Sequence, residues 1–289
     1  MAESDFEIPF DRLPERFAES VSHPPATPAP ARPAATVVLL REGAEGVEVL
    51  LLRRNRQTGF VPGAWVFPGG RVDAADRADA VMERMDGLTP DAAARRLTLE
   101  DGVGAIAYYV AALREAFEET GILVALDAEG HFPPTAATDD RVEVLRDDLL
   151  EDRIGLADVL DELGCRLDGG SVEYLAHWIT PEVERRRYDT RFFAARVAPG
   201  STSVVDGREM TDAVWITPYE ALARNHEGTL PMVFPTIHTL ERLASFDGTE
   251  AALAELATLD VPAIQPRLVL TPRGVAMRIP PRGGARRQP

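Results

Sequence analysis

The chain has 289 residues, 45% of them hydrophobic and 27% charged, with a net charge of −16 and an isoelectric point near 4.8. This is the composition of a globular protein able to bury a sizeable core. So acidic a surface repels phosphate backbones and anionic membranes, which sets aside a nucleic-acid groove or a membrane partner. A small anionic substrate stays open if local arginines and a bound cation offset the field.

Every basic residue is arginine, and with the abundant alanine this suggests a GC-rich bacterial genome. The single cysteine, Cys165, cannot close an intrachain disulfide and is expected as a small half-buried residue or a bystander in a turn. MAESDFEIPF holds no apolar stretch of signal length, no run reaches the length of a membrane span, and RRQP matches no address or lipidation signal. The expected location is cytoplasmic.

In chain order, residues up to Pro33 are too proline-rich for a helix or central strand and read as an extended arm. Ala35–Gly43 reads as a buried strand and Gly46–Arg54 as its hairpin partner across a glycine-containing turn. Thr58–Asp76 is a loop with a short strand, punctuated by Pro62, Gly63, Pro68, Gly69 and Gly70. Thr89-Pro90-Asp91 starts a helix, and a longer one spans Val103 to Thr120, where Ile106, Val110, Leu113 and Phe117 form an apolar stripe and Gly121 is a left-handed stop. Strands are predicted at Ile122–Leu126, Ser171–Thr180, Arg191–Val197 and Asp212–Thr217, with two amphipathic helices between the first two. A short helix follows Thr217, one or two more helices precede residue 260, and Pro266–Pro281 reads as a strand pair or ordered tail before a loose end. This order gives an α/β (α+β) fold, a mixed sheet with helices on its faces, in one domain at 34–265 flanked by the arm (1–33) and a tail (266–289).

Glu115, Glu118 and Glu119 share one face of the longer helix. Like charges at these spacings are destabilising, and the C-terminal end of a helix disfavours anions. A solvated acidic face is one reading of such a cluster. Here the opposite side is apolar and the loop Phe67–Asp76 carries paired glycines that can approach a phosphate or metal, so a divalent cation held by carboxylate oxygens becomes the alternative.

Arg114–Ile122 (REAFEETGI) resembles the second half of the Nudix box, and Phe67-Pro68-Gly69-Gly70 resembles its opening. Trp215-Ile216-Thr217-Pro218 with Glu220-Ala221-Leu222 resembles the strand-to-helix ending common in that family. The box usually sets its opening glycine fourteen positions before the arginine, whereas Gly70 and Arg114 stand forty-four apart. A segment at about 76–102 therefore splits it, and counting back from the arginine puts Ile106 where a supporting glutamate belongs. Asp73, Glu100 and Asp101 are candidates to replace that glutamate. A split box, and the motif-like GAWVFPGGRVDAAD with Asp73 and Asp76 in its acidic positions, resemble the CoA-diphosphatase-like branch.

The resemblance implies a Nudix-like mixed sheet between helices, with extra C-terminal helices. It implies hydrolysis of a nucleoside diphosphate-linked substrate, with Mg²⁺ or Mn²⁺ held by Glu115, Glu118, Glu119 and the Gly70 backbone. Arg114 would orient a glutamate, Glu209 is a candidate base, and Arg53, Arg54, Arg71 and Gly69 are candidates for phosphate contacts. Arg185–Arg187 read as a solvated face or as contacts for a 3′-phosphate, and Asp189 with Arg191 as an ion pair. His177 and His238 read as structural. CoA or acyl-CoA is the leading substrate, with ADP-ribose or NADH, and a non-catalytic nucleotide-binding module, as alternatives. A homodimer is implied by the resemblance alone.

Overall fold

The structure is a computed structural model that describes residues 6–13, 17–57, 62–205 and 207–280. In chain order its strands and helices begin with β1 (Phe6–Pro9), α1 (Phe17–Ser22), β2 (Ala31–Gly43) and β3 (Gly46–Arg54). β4 (Trp65–Val66), β5 (Gly69–Arg71), α2 (Asp79–Met82), β6 (Met85–Asp86), α3 (Pro90–Leu97) and α4 (Gly102–Thr120) follow. Next come β7 (Ala125–Asp127), α5 (Asp140–Leu150), α6 (Leu156–Leu163), β8 (Cys165–Asp168), β9 (Glu173–Ile179), β10 (Arg187–Arg196) and β11 (Met210–Ile216). The chain continues with α7 (Pro218–His226), α8 (Phe234–Leu243), α9 (Thr249–Leu256), β12 (Ala263–Ile264), β13 (Arg267–Leu270) and β14 (Gly274–Arg278).

The chain divides into two compact units. The larger, residues 34–176 and 191–260, holds the mixed α/β fold, with strands in the order β11-β3-β2-β10-β9. Gly43 pairs with Gly46 across a two-residue turn, and Leu40 with Val49, so the β-branched and leucine runs of both strands lie in the core. β5 pairs with β2 in the register Ala35↔Gly70 and Thr36↔Gly69, and this seats the glycine pair at the sheet. A second sheet, β6-β8-β7, joins the inserted segment to the chain beyond the box.

The smaller unit, residues 1–33, 177–190 and 261–289, carries the sheet β1-β14-β13 and a parallel pairing of Ala263 with His177. The first thirty-three residues are not simply extended: they hold β1, α1 and the start of β2, with Pro9 ending β1, Pro24, Pro25, Pro28 and Pro30 between α1 and β2, and Pro33 among the first residues of β2. Met1–Asp5, Thr58–Val61 and the expected loose end at 281–289 lie outside the described residues.

Helix α4 carries the glutamates. The sequence suggests one apolar stripe, yet Ala105 through Leu113 are buried on every side, Tyr108 included. Alanines at four of these positions let neighbouring elements approach the helix all round. Gly121 ends it at φ +69°, where an added Cβ would also meet the Ala136 side chain. Ile122–Val124 are buried but not in a strand, because the Ile122 N–H turns back to the Thr120 hydroxyl at 3.1 Å and pairing starts only at Ala125. Cys165 is buried in β8, not in a turn, and burial pushes its thiol up to about 11. Among the described residues no helix is long and apolar enough to cross a membrane.

Candidate active site

Arg114 is the hub. Its Nε and Nη2 donate to the two Asp76 carboxylate oxygens at 2.8 and 3.2 Å, and Nη2 also donates to the Arg71 main-chain oxygen at 3.0 Å. Nη1 stands between Glu118 Oε2 at 2.8 Å and Glu115 Oε1 at 3.0 Å. Burial alone would lower the pKa of this guanidinium, but Asp76 first, then Glu115 and Glu118, hold it raised and charged.

Asp76 is the residue that reading from the arginine end missed. Its side chain is 1% exposed, and its Oδ2 also accepts the Asp73 N–H at 2.7 Å. It stands six positions after Gly70, so counting forward from the glycine finds the carboxylate that counting back places at Ile106. Ile106 itself is buried in the core. Of the proposed substitutes, Asp73 lies 3.7 Å from Arg71 and 3.9 Å from Arg114. Glu100 and Asp101 are at the other end of α4, where Asp101 is the residue preceding its first turn. Fourteen residues from Glu115 is roughly 21 Å along a helix, too far to share its site.

Both glycines are required by close approach. A Cβ on Gly69 would meet the Ala35 oxygen and Thr36 Cα of the paired strand, and a Cβ on Gly70 would fall within the Glu115 carboxylate. The Gly69 N–H donates to Glu119 Oε2 at 3.0 Å, so it orients a glutamate where the sequence suggested a phosphate contact.

All three glutamates are held above their ordinary 4.5, with burial the first cause for each. Glu115 reaches about 7, burial outweighing the opposing Arg114 charge. Glu118 is raised, again against Arg114. Glu119, fully buried, is raised well above the ordinary range; the Glu115 charge adds to burial, while the Gly69 N–H and Arg54 oppose. Three desolvated carboxylates and Asp76, of which Glu115, Glu118 and Asp76 share the Arg114 guanidinium, leave the site short of positive charge. Carboxylate oxygens in that state fit a hard divalent cation. As the side chains stand, no three such groups among the described residues close on one point, because Arg114 occupies the gap between Glu115 and Glu118.

The remaining candidates divide. Arg54 is half-buried, its Nε has no hydrogen-bond partner among the described residues, and its charge acts on Glu119. Glu209 is exposed, and its charge also acts on Glu119. Arg53, the next residue on β3, leans instead to Asp212 at 3.6 Å. Arg71 is exposed and pairs with Asp73. Arg187 donates to the Thr180 and Ala29 oxygens, while Arg185 and Arg186 are exposed. His177 Nε2 meets Asp189 Oδ1 at 2.5 Å, and His238 packs edge-on to Phe234. Arg191, expected opposite Asp189, donates to Leu97 O and Tyr174 OH.

Comparison with known proteins agrees with this arrangement. Residues 25–243 match the family described as NUDT19 Nudix domain. The chain is 27% identical to acyl-coenzyme A diphosphatase NUDT19 of Xenopus laevis over 69% of this chain, spanning 60% of that relative's length. It is 28% identical to the human protein of the same name over 83% of this chain and 68% of that one. A crystal structure of a NUDIX hydrolase from Alicyclobacillus acidocaldarius shares 31% identity and a TM-score of 0.65, over 80% of this chain and 99% of that one. The chain belongs to the Nudix family, in the group described by the NUDT19 Nudix domain.

Proposed function

We propose that this chain is a metal-dependent diphosphatase acting on CoA or acyl-CoA. The observation that carries the chemistry is the set of three carboxylates, Glu119 buried and Glu115 and Glu118 half-buried, gathered around Arg114 and the Gly69-Gly70 strand. The choice of CoA is supported by relatives named acyl-coenzyme A diphosphatase and by Asp73 and Asp76 behind the glycine pair.

A bound Mg²⁺ or Mn²⁺ would neutralise charge on the phosphoryl oxygens and lower the pKa of a water. Glu115, Glu118 and Glu119 are the residues that would hold it. Asp76 fixes Arg114, and Arg114 fixes the faces of Glu115 and Glu118. The Gly69 N–H fixes Glu119, so the cluster's orientation is set before substrate arrives. Arg54, whose charge acts on Glu119, would supply a cation for a phosphate, and Glu209, whose charge acts on the same carboxylate, would take a proton from the attacking water. Cleavage between the two phosphorus atoms would release phosphopantetheine and adenosine 3′,5′-bisphosphate.

The test is turnover with Mn²⁺ or Mg²⁺ against CoA, acyl-CoA, ADP-ribose, NADH and dinucleoside polyphosphates, with products identified by mass. The expected outcome is the two CoA fragments, lost on chelation and in a folded Glu118→Gln variant. Turnover of ADP-ribose alone would remove CoA and leave the chemistry; binding without turnover of any substrate would remove both.

A further inference from the structure

The last turn of an α-helix leaves its carbonyls without intrahelical donors, and in α4 the partners of several near the glutamates can be traced. Phe117 O accepts the Gly121 N–H at 2.8 Å, Thr120 O accepts the Val204 N–H at 2.9 Å, and Gly121 O accepts the Ala136 N–H at 3.0 Å. Glu118 O would ordinarily look to the Ile122 N–H, but that donor is turned to the Thr120 hydroxyl. Arg146 of α5 supplies what is missing: its Nε donates to Glu118 O at 2.8 Å. Arg146 is only 3% exposed.

A neutral amide would satisfy one carbonyl. Burying a guanidinium is costly unless its charge is used. Here the charge sits at the negative end of a helix dipole whose last two turns carry three carboxylates. Glu118 is thus held twice, its carboxylate by Arg114 and its main-chain oxygen by Arg146. Slack in this turn would be felt first by Glu118 and Glu119. We propose that Arg146 is a positioning residue for the reaction: by fixing the Glu118 carbonyl it sets how Glu118 and Glu119 present their carboxylates to the cation. This rests on the metal-dependent reading above.

The experiment measures Mn²⁺ binding to the metal-free full-length protein, by the electron paramagnetic resonance of free Mn²⁺, for the wild type, Arg146→Met and Arg146→Lys. Unfolding temperatures are recorded beside it. Loss of orientation is expected to weaken Mn²⁺ binding about tenfold in Arg146→Met. Arg146→Lys keeps the charge without the planar donor and is expected to fall between, which also carries the test if Arg146→Met does not fold. A simple charge effect has the opposite sign, because removing a nearby cation would tighten Mn²⁺. Tighter or unchanged binding in the folded variants, with only the unfolding temperature lowered, overturns the inference while leaving the metal-dependent function intact. Failure of the wild type to bind Mn²⁺ overturns both.

Discussion

Adjacent glycines in the candidate site are expected to fail in different ways. A methyl on Gly69 would come within 2.5 Å of the Ala35 oxygen and 2.7 Å of Thr36 Cα, main-chain atoms locked in the β2–β5 pairing. The nearest atoms to a methyl on Gly70 all belong to the Glu115 carboxylate, the end of a flexible side chain. Gly69→Ala is therefore expected to lower stability by about 1–3 kcal/mol, the usual range for overpacking. Gly70→Ala should fold nearly as well and lose more than about tenfold in kcat, since Glu115 must swing away from Arg114. Thermal unfolding and Mn²⁺-dependent turnover on both variants check this, and the reverse ranking would refute it. The same carboxylate sets a pH dependence. Glu115 titrates near 7 in the fold against an ordinary 4.5, with burial the main cause. Below 4.5 both folded and unfolded states hold the proton and the full stability is present; as pH rises through 7 the fold must ionise a buried group and loses it. Without metal, stability should fall by about 3 kcal/mol over that window, with Glu118 and Glu119 acting in the same direction. Mn²⁺ should reverse the loss. An unfolding temperature flat from pH 4.5 to 7.5 in chelator would contradict it. Of this cluster, the glutamates and Arg114 were legible because i, i+3 and i+4 share a helix face. Asp76 was legible only as an acidic position behind the glycine pair; its contact with Arg114 was not, because thirty-seven intervening residues separate the two and only the fold closes them.

At the scale of elements, helix ends were legible wherever the chain supplies the usual chemistry. Thr89 caps α3 by accepting the Ala92 N–H at 3.2 Å with Pro90 in the first turn, and Thr217 with Pro218 repeats the device at α7. What stayed hidden are β6 and β8. They are short, poor in β-branched residues, and joined in parallel across some eighty residues, so no local periodicity announces them. The C-terminal end of α3 breaks the glycine habit: Thr98 takes the left-handed conformation at φ 54° and ψ 48°. A β-branched residue pays for that conformation in steric strain. Thr98→Gly is expected to stabilise the fold by about 1 kcal/mol, the relief exceeding the added freedom of the unfolded chain. Chemical denaturation with an unchanged m-value would confirm it; a loss of stability would show that the Thr98 side chain makes contacts worth more than the strain.

For the molecule as a whole the dominant fact is charge, −16 on 289 residues. Under the proposed function both ligands feel it, with opposite signs. A divalent cation is drawn to the acidic surface and a CoA polyanion is repelled by it. Salt screens both effects, since the screening length falls to about 10 Å at 0.1 M and shorter above. Raising KCl from about 20 to about 200 mM should therefore weaken Mn²⁺ activation several-fold and, with Mn²⁺ held saturating, lower the KM for CoA about two- to threefold. The kcat should stay level, because the Arg114–Asp76 and Arg114–Glu118 pairs that orient the site are nearly shut off from solvent and screened little. Opposed slopes for metal and substrate are the signature of a global acidic field acting on a neutralised local site. If instead the KM for CoA rises with salt, the nearby arginines, Arg54 and Arg71, outweigh the sum of the surface. Charge reversal at Arg71, whose side chain is exposed and touches Arg114 only through its main-chain oxygen, should then abolish that rise.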